Sequence, residues 1–206
     1  ALEIINSVFP SFFNLIIRSV KMVVFFTGKD NSFASLQTHG IIYLNVKKGL
    51  SVVSFIDDIV HQSAHVIFNT ITLKSKSTFF ISNHNKSNLD NGPGGDNLYA
   101  RFHGLYTMCF ITYCLTKSYK KKIFNGTQNL ELVGRIVDNM IKFERLVNLL
   151  IKPEDCTKYG LEWFAVFKTV YNNLKMENNK LISNYDVSNQ PYVFDFDIFC
   201  KSNPSC

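Results

Sequence analysis

Between residues 51 and 73 the chain is apolar on almost every side of any helix it can form, through Val53, Phe55, Ile56, Ile59, Val60, Val66, Ile67 and Phe68. A helix of that kind is buried, so the segment has to lie in a core and the rest of the chain has to pack around it. The same segment carries Asp57, Asp58, His61, Gln62, His65 and Asn69. Buried polar groups are costly unless they are paired. Any fold available to this chain must therefore bring partners to this helix from elsewhere in the sequence.

His61 and His65 are four residues apart, so on a helix they stand one above the other on a single face. Two imidazoles so placed can share one metal ion; equally, they can be core histidines hydrogen-bonded to neighbours. The pattern is that of H-E-x-x-H with Gln62 in the glutamate position. In a zinc peptidase that glutamate is the general base acting on metal-bound water. An amide has no basic site near neutral pH, so Gln62 excludes ordinary peptidase chemistry and leaves chemistry that needs no base there.

The 206 residues suit one domain spanning 1–206. With 46% hydrophobic and 18% charged residues there is ample core material and no sign of disorder. The net charge of +6 favours an acidic partner, but the lysines are scattered apart from Lys117, Lys120, Lys121 and Lys122. That cluster reads as a helix end, where cations suit the macrodipole, or as a docking patch. No nucleic-acid-binding module is recognisable. Five cysteines at irregular spacing, without C-x-x-C, argue for reduced thiols and a cytoplasmic protein. The N-terminal run is interrupted by Glu3, Asn6, Pro10, Asn14, Arg18 and Lys21 and reads neither as a membrane span nor as a signal peptide.

In chain order the patterning predicts one or two amphipathic helices over 1–20, with Pro10 opening the second. Strands follow at Met22–Phe26 and Ile41–Val46, and the buried helix runs from about Ser51 to Leu73. Residues 78–82 suit a short strand or a helix end. The Asn- and Gly-rich residues 83–97 form a loop suited to the mouth of a site. Further helices are expected over 98–115, 130–150 and 159–174, with a new element starting at Pro153. Alternation from Tyr192 to Phe199 predicts a half-buried edge strand. The expected fold class is mainly α with a few β-strands (α+β), built around the histidine helix. His103, near the start of its helix, is placed to reach a site shared with His61 and His65 or to act as a capping histidine. His39 and His84 read as surface residues.

Several segments together resemble a known family, the HExxH-type 2-oxoglutarate-dependent peptide β-hydroxylases that modify ribosomally made peptides. Ala1-Leu2-Glu3-Ile4-Ile5 resembles the family's opening, and Ser35 to Asn45 (SLQTHGIIYLN) resembles the segment before its motif helix. Val60-His61-Gln62-Ser63-Ala64-His65 resembles its V-H-E-x-x-H, and Phe102-His103-Gly104-Leu105 its L-H-G. Thr157-Lys158-Tyr159-Gly160 is a weaker echo of L-T-x-x-G, and the likeness spans roughly residues 1–170. The resemblance implies an iron(II) centre held by His61, His65 and His103, with Gln62 at the catalytic position and 2-oxoglutarate as cosubstrate. It implies hydroxylation of an aliphatic carbon, at Cβ, in a peptide substrate that carries an acidic leader.

The family's arginine-proline pair before L-H-G is absent. Arg101, two residues before His103, is the nearest arginine to carry the cosubstrate carboxylate, with Arg135 and Arg145 as other candidates. The alternatives of a different class are an inactive, zincin-like metalloprotein and a degenerate family member that binds a peptide without turning it over.

Overall fold

In the computed structural model, residues 1–47, 50–72, 79, 98–148 and 153–204 are described. Among them the chain forms helices α1 (Leu2–Val8) and α2 (Pro10–Ser19), then strands β1 (Met22–Phe26), β2 (Phe33–Ala34) and β3 (Ile41–Asn45). Helices α3 (Val52–Thr72), α4 (Leu98–Lys120), α5 (Gly126–Asn148), α6 (Lys158–Asn184) and α7 (Phe196–Ser202) follow, with a 3-10 turn, Pro153–Asp155, ahead of α6 where a new element is expected. The architecture is mainly α with a small three-stranded sheet, as the patterning predicts.

The sheet has the order β1-β3-β2. β1 runs parallel to β3, with Met22 opposite Ile41 and Phe26 opposite Asn45, and β2 pairs antiparallel with β3. Gly40 sits at φ 92°, a left-handed conformation natural to glycine, and its carbonyl accepts the Lys21 N–H at 2.7 Å. That turn starts β3 beside β1. β3 turns Ile42 and Leu44 inward onto α3, and both are buried.

α3 is the central element, in contact with α1, α2, β2, β3, α4 and α5. Its apolar residues join Phe12, Phe102, Leu105 and Phe143 in one core, to which α4, α5 and α6 contribute. Aromatic contacts tie the N-terminal helices to α4, with Phe12 stacked on Phe110 at 4.4 Å and Phe9 against Tyr113 at 4.5 Å. The lysine cluster closing α4 is engaged by the fold: Lys120 pairs with Glu177 at 2.7 Å, Lys121 donates to the Ser7 carbonyl, and Lys117 lies over the Tyr113 ring.

The edge strand expected over Tyr192–Phe199 is corrected. Residues 196–202 are the helix α7, and the residues before it are turns. Alternation would put Tyr192 and Phe194 on one face, yet Tyr192 is 86% exposed while Phe194 is buried. The Asp195 side chain accepts the Ile198 N–H at 2.9 Å and so caps a helix, and Asp197 suits its first turn. Phe194 and Phe199 close over Gly134 of α5, where a Cβ would come within 2.7 Å of the Phe194 ring. β2 is a second departure, since the sequence signals only a turn ahead of β3; at two residues it is too short to register as alternation. α4, α5 and α6 extend beyond their expected ends, to Lys120, back to Gly126 and to Asn184. Among residues 78–82 only Phe79 is described, and the loop expected over 83–97 lies outside the described residues.

Gly160, in the first turn of α6, touches the Phe79 backbone so closely that a Cβ would run into the Phe79 carbonyl. Elsewhere in a helix, Gly→Ala gains about 1 kcal/mol from propensity. Here Gly160→Ala is expected to destabilise by about 1–3 kcal/mol from overpacking, read as a lower midpoint in urea with an unchanged slope.

Candidate functional site

The polar residues of α3 find their partners on four different segments. Asp58 accepts the Ser32 hydroxyl at 2.7 Å, and the Gln62 amide donates to the Ser32 carbonyl at 3.1 Å. These bonds fasten the turn before β2 to the helix. One turn apart on another face are Asp57, His61 and His65, spaced i, i+4, i+8. Asp57 receives Arg135 of α5 at 2.7 Å, and Arg135 also donates to Glu131 at 2.9 Å. The guanidinium lies 5.0 Å from the centre of the Phe194 ring. Burial works against the charge of Arg135, but the two carboxylates outweigh it and raise its pKa.

At the far end of α3, the Tyr99 hydroxyl donates to Asn69 Oδ1 at 2.8 Å and lies 3.1 Å from Thr72 Oγ1. Tyr99 is in the first turn of α4, and His103 follows it by four residues, on the same face. The anchoring of Tyr99 therefore delivers His103 to α3. Its Nε2 lies 2.6 Å from Nδ1 of His65, and its ring stacks on Phe68 at 5.1 Å and 19°. The centres of His65 and His103 are 4.2 Å apart, and those of His61 and His65 are 4.7 Å apart. The structure thus brings together the three histidines that the sequence separates by up to 42 positions (61 to 103).

All three imidazoles are held toward the neutral form, and burial is the main cause for each. The His61 pKa is lowered, with the Asp57 charge opposing the shift and Lys142 adding to it. That of His65 falls well below the usual histidine range, pushed further by His61 and His103. His103 is pushed down to about 4 by burial and by His61, with the His65 backbone opposing the shift. Neutral imidazole is the form that binds a metal.

The donor set suits a metal that accepts nitrogen ligands, iron(II) among them. Among the described residues no side chain hydrogen-bonds His61, whose ring lies against that of His65. The 2.6 Å contact between His65 and His103 is a hydrogen bond in which one ring donates and the other accepts, according to tautomer. Two nitrogens held by one ion at about 2.1 Å each sit about 3 Å apart or more, so a shared ion would replace that proton and open the pair. Among the described residues, no group of three or more His, Cys, Asp or Glu side chains is already spaced as a metal site.

Gln62 points its amide nitrogen to Ser32, and its Oε1 is buried without a hydrogen-bond partner among the described residues. Arg101 is half-buried in the first turn of α4, and Arg145 is exposed. His39 is an exposed residue whose ring meets Thr70 Oγ1 at 3.1 Å; His84 lies outside the described residues. Of the described cysteines, Cys109, Cys114 and Cys156 are buried free thiols. Burial pushes Cys114 up to about 12, which makes it inert.

Sequence reasoning passes over Asp57, Phe68 and Tyr99 as members of the site, and offers Arg135 only as a candidate for the cosubstrate carboxylate, not as the partner of Asp57. The readable signal is again spacing: Asp57 precedes His61, and Tyr99 precedes His103, by one helical turn. Arg135 gives no such signal, because its partner is 78 residues away.

No protein-family model and no curated protein matches the sequence. Among the described residues no helix is long and apolar enough to cross a membrane.

Depressed histidine pKa values make stability depend on pH. The unfolded chain takes up protons near pH 6.5, while folded His103 resists them until about pH 4. Stability is therefore full above about pH 6.5 and is lost as pH falls toward 4. Melting temperatures measured from pH 7 to pH 4 should fall, and His103→Gln should flatten that fall by about one proton's worth of slope relative to wild type. An unchanged slope would show that His103 titrates normally in the folded protein.

Proposed function

We propose that this chain is an iron(II)- and 2-oxoglutarate-dependent oxygenase that hydroxylates an aliphatic carbon, at Cβ of a residue in a ribosomally made peptide. The observation that carries the proposal is the meeting of His61, His65 and His103 on two packed helices, with all three held neutral by burial. The sequence resemblance supplies the reaction class; the geometry supports it by supplying three nitrogen donors of the right type.

Bound there, iron(II) would supply the dioxygen chemistry that breaks an unactivated C–H bond. The chain's own residues prepare the place. His61 and His65 come from a helix held on several sides, so their spacing is rigid. His103 is set by Tyr99 one turn earlier and by the Phe68 ring against its face. Phe68 and Val60 are fully buried and exclude water from this part of the core. Asp57 places a carboxylate near His61, while Arg135 neutralises most of that charge.

Gln62 has no base to offer, and its amide holds the turn at Ser32. The proposed reaction asks for no base at that position. For the distal carboxylate of 2-oxoglutarate, Arg101, two residues before His103 on α4, is the proposed partner. The free thiols fit a reducing compartment, the cytoplasm.

The test is the metal content of protein purified without oxygen and loaded with ferrous iron, followed by succinate formation from 2-oxoglutarate. About one iron per chain is expected, lost in His61→Ala, His65→Ala and His103→Ala. Arg101→Ala should keep its iron and raise the 2-oxoglutarate concentration for half-maximal turnover about tenfold, the loss of a charge-assisted hydrogen bond. Zinc retained by His61 and His65 without His103 would replace the reading with a zincin-like protein. A folded wild type that binds no metal would leave a peptide-binding partner without turnover.

A further inference from the structure

Among the described residues the sheet is uncovered along one side, where β1 pairs only with β3. The Phe26 carbonyl accepts the Val46 N–H at 2.7 Å, and the Met22 N–H reaches the Gly40 carbonyl at 3.4 Å. In a parallel pair, alternate residues of a strand face the partner with both N–H and C=O. Met22, Val24 and Phe26 thus spend their backbone groups on β3. Val23 and Phe25 direct theirs away from it, to the open edge.

The side chains repeat the point. Val23 lies beside Ile42 and Phe25 beside Leu44, on the same face of the sheet. Ile42 and Leu44 are each 1% exposed, whereas Val23 is 40% and Phe25 62% exposed. The face that is core in the middle of the sheet is open to solvent at its edge. A long apolar edge of this kind pairs readily with another strand.

Charge selects the occupant. In sequence, exposed Arg18 and Lys21 precede β1 and exposed Lys29 follows it, against one exposed carboxylate, Asp30, while Lys47 follows β3 and acts on Asp58. A second copy of β1 laid antiparallel would bring these cations together at both ends. An acidic strand would not. We propose that β1 is a docking edge for an extended, acidic-flanked peptide, which adds to the sheet as a fourth strand. It would exchange backbone hydrogen bonds with Val23 and Phe25 and set alternate apolar side chains beside them. The inference rests on the sheet and not on the histidines, so it stands whether or not the centre binds iron.

The probe is a fluorescein-labelled peptide of alternating Val and Thr between two pairs of Glu, titrated with metal-free protein at low salt. Saturable binding is expected, weakening about tenfold or more as salt rises toward the range where surface charges are screened. Val23→Pro removes an N–H that faces the open edge and no bond of the β1–β3 pair, a position where edge strands accept proline. It should abolish binding while leaving the melting temperature within a few degrees.

Should that variant fold poorly, the double variant Lys21→Glu, Lys29→Glu tests the same surface. It should lose the Glu-flanked peptide and gain one flanked by Lys. No saturable binding by wild type, or binding unchanged in these variants, overturns the proposal. So does a concentration-dependent dimer that Val23→Pro dissolves, which would assign the edge to a second copy. Because no metal is present, failure here is distinguishable from failure of the iron centre.

Discussion

A helix buried on most of its surface cannot leave its polar side chains unanswered, and α3 carries several. Each draws in a different part of the chain. Asp58 and Gln62 hold the turn at Ser32, and so the entry to β2. Asp57 holds Arg135 and with it α5. Asn69 and Thr72 hold Tyr99, and His65 holds His103, which together fix α4 in register. Hydrophobic burial supplies most of the driving force for packing, but it is nearly blind to register. The polar contacts of α3 select one arrangement among many equally greasy ones, although Gln62 Oε1 and Ser63 Oγ are buried without a partner among the described residues.

The same constraint accounts for the state of the histidines. Desolvation removes the charged form, and the nearest basic neighbours of each ring are the other imidazoles and Lys142. Asp57 works in the opposite direction on His61, but its charge is shared with Arg135. A stronger carboxylate partner would hold the rings as imidazolium and spoil them as ligands. The buried pair of Asp57 and Arg135 thus tempers the local field as well as joining α3 to α5. Such pairs contribute little net stability when weighed against an apolar replacement, yet they are costly to break on one side. That pattern suits a position kept for arrangement.

What the sequence reveals of this molecule follows from how local each determinant is. The α3 helix is expected from Ser51 to Leu73 and runs from Val52 to Thr72, because its period and length are both local. β1 matches its expected bounds and β3 ends one residue early, for the same reason. His61 and His65 are neighbours by spacing alone; His103 joins them only through the resemblance and the shared apolar character of its helix. The pairing of Arg135 with Asp57 is invisible, since nothing local to either residue announces the other. The misread end of the chain is instructive. Phe194-Asp195-Phe196-Asp197 alternates as a strand would, but Asp195 is placed to cap and Asp197 to sit in a first turn. With only four alternating residues the two periods fit equally well, and the cap decides.

The sheet obeys a different economy from the helices. It is attached to the core chiefly by β3, whose Ile42 and Leu44 are buried against α3, with β2 touching the same helix. β1 gains its place chiefly from backbone bonds to β3 and from the Gly40 turn, and leaves Val23 and Phe25 half in water. Strands of this kind are usually protected by charge at their margins. Lys21 and Lys29 provide that protection here, since they repel a second copy of the same edge while leaving it open to a strand of opposite charge. A single set of cations can therefore prevent self-association and select a partner at the same time, which is how specificity arises when attraction to one ligand and repulsion of another are built from the same side chains.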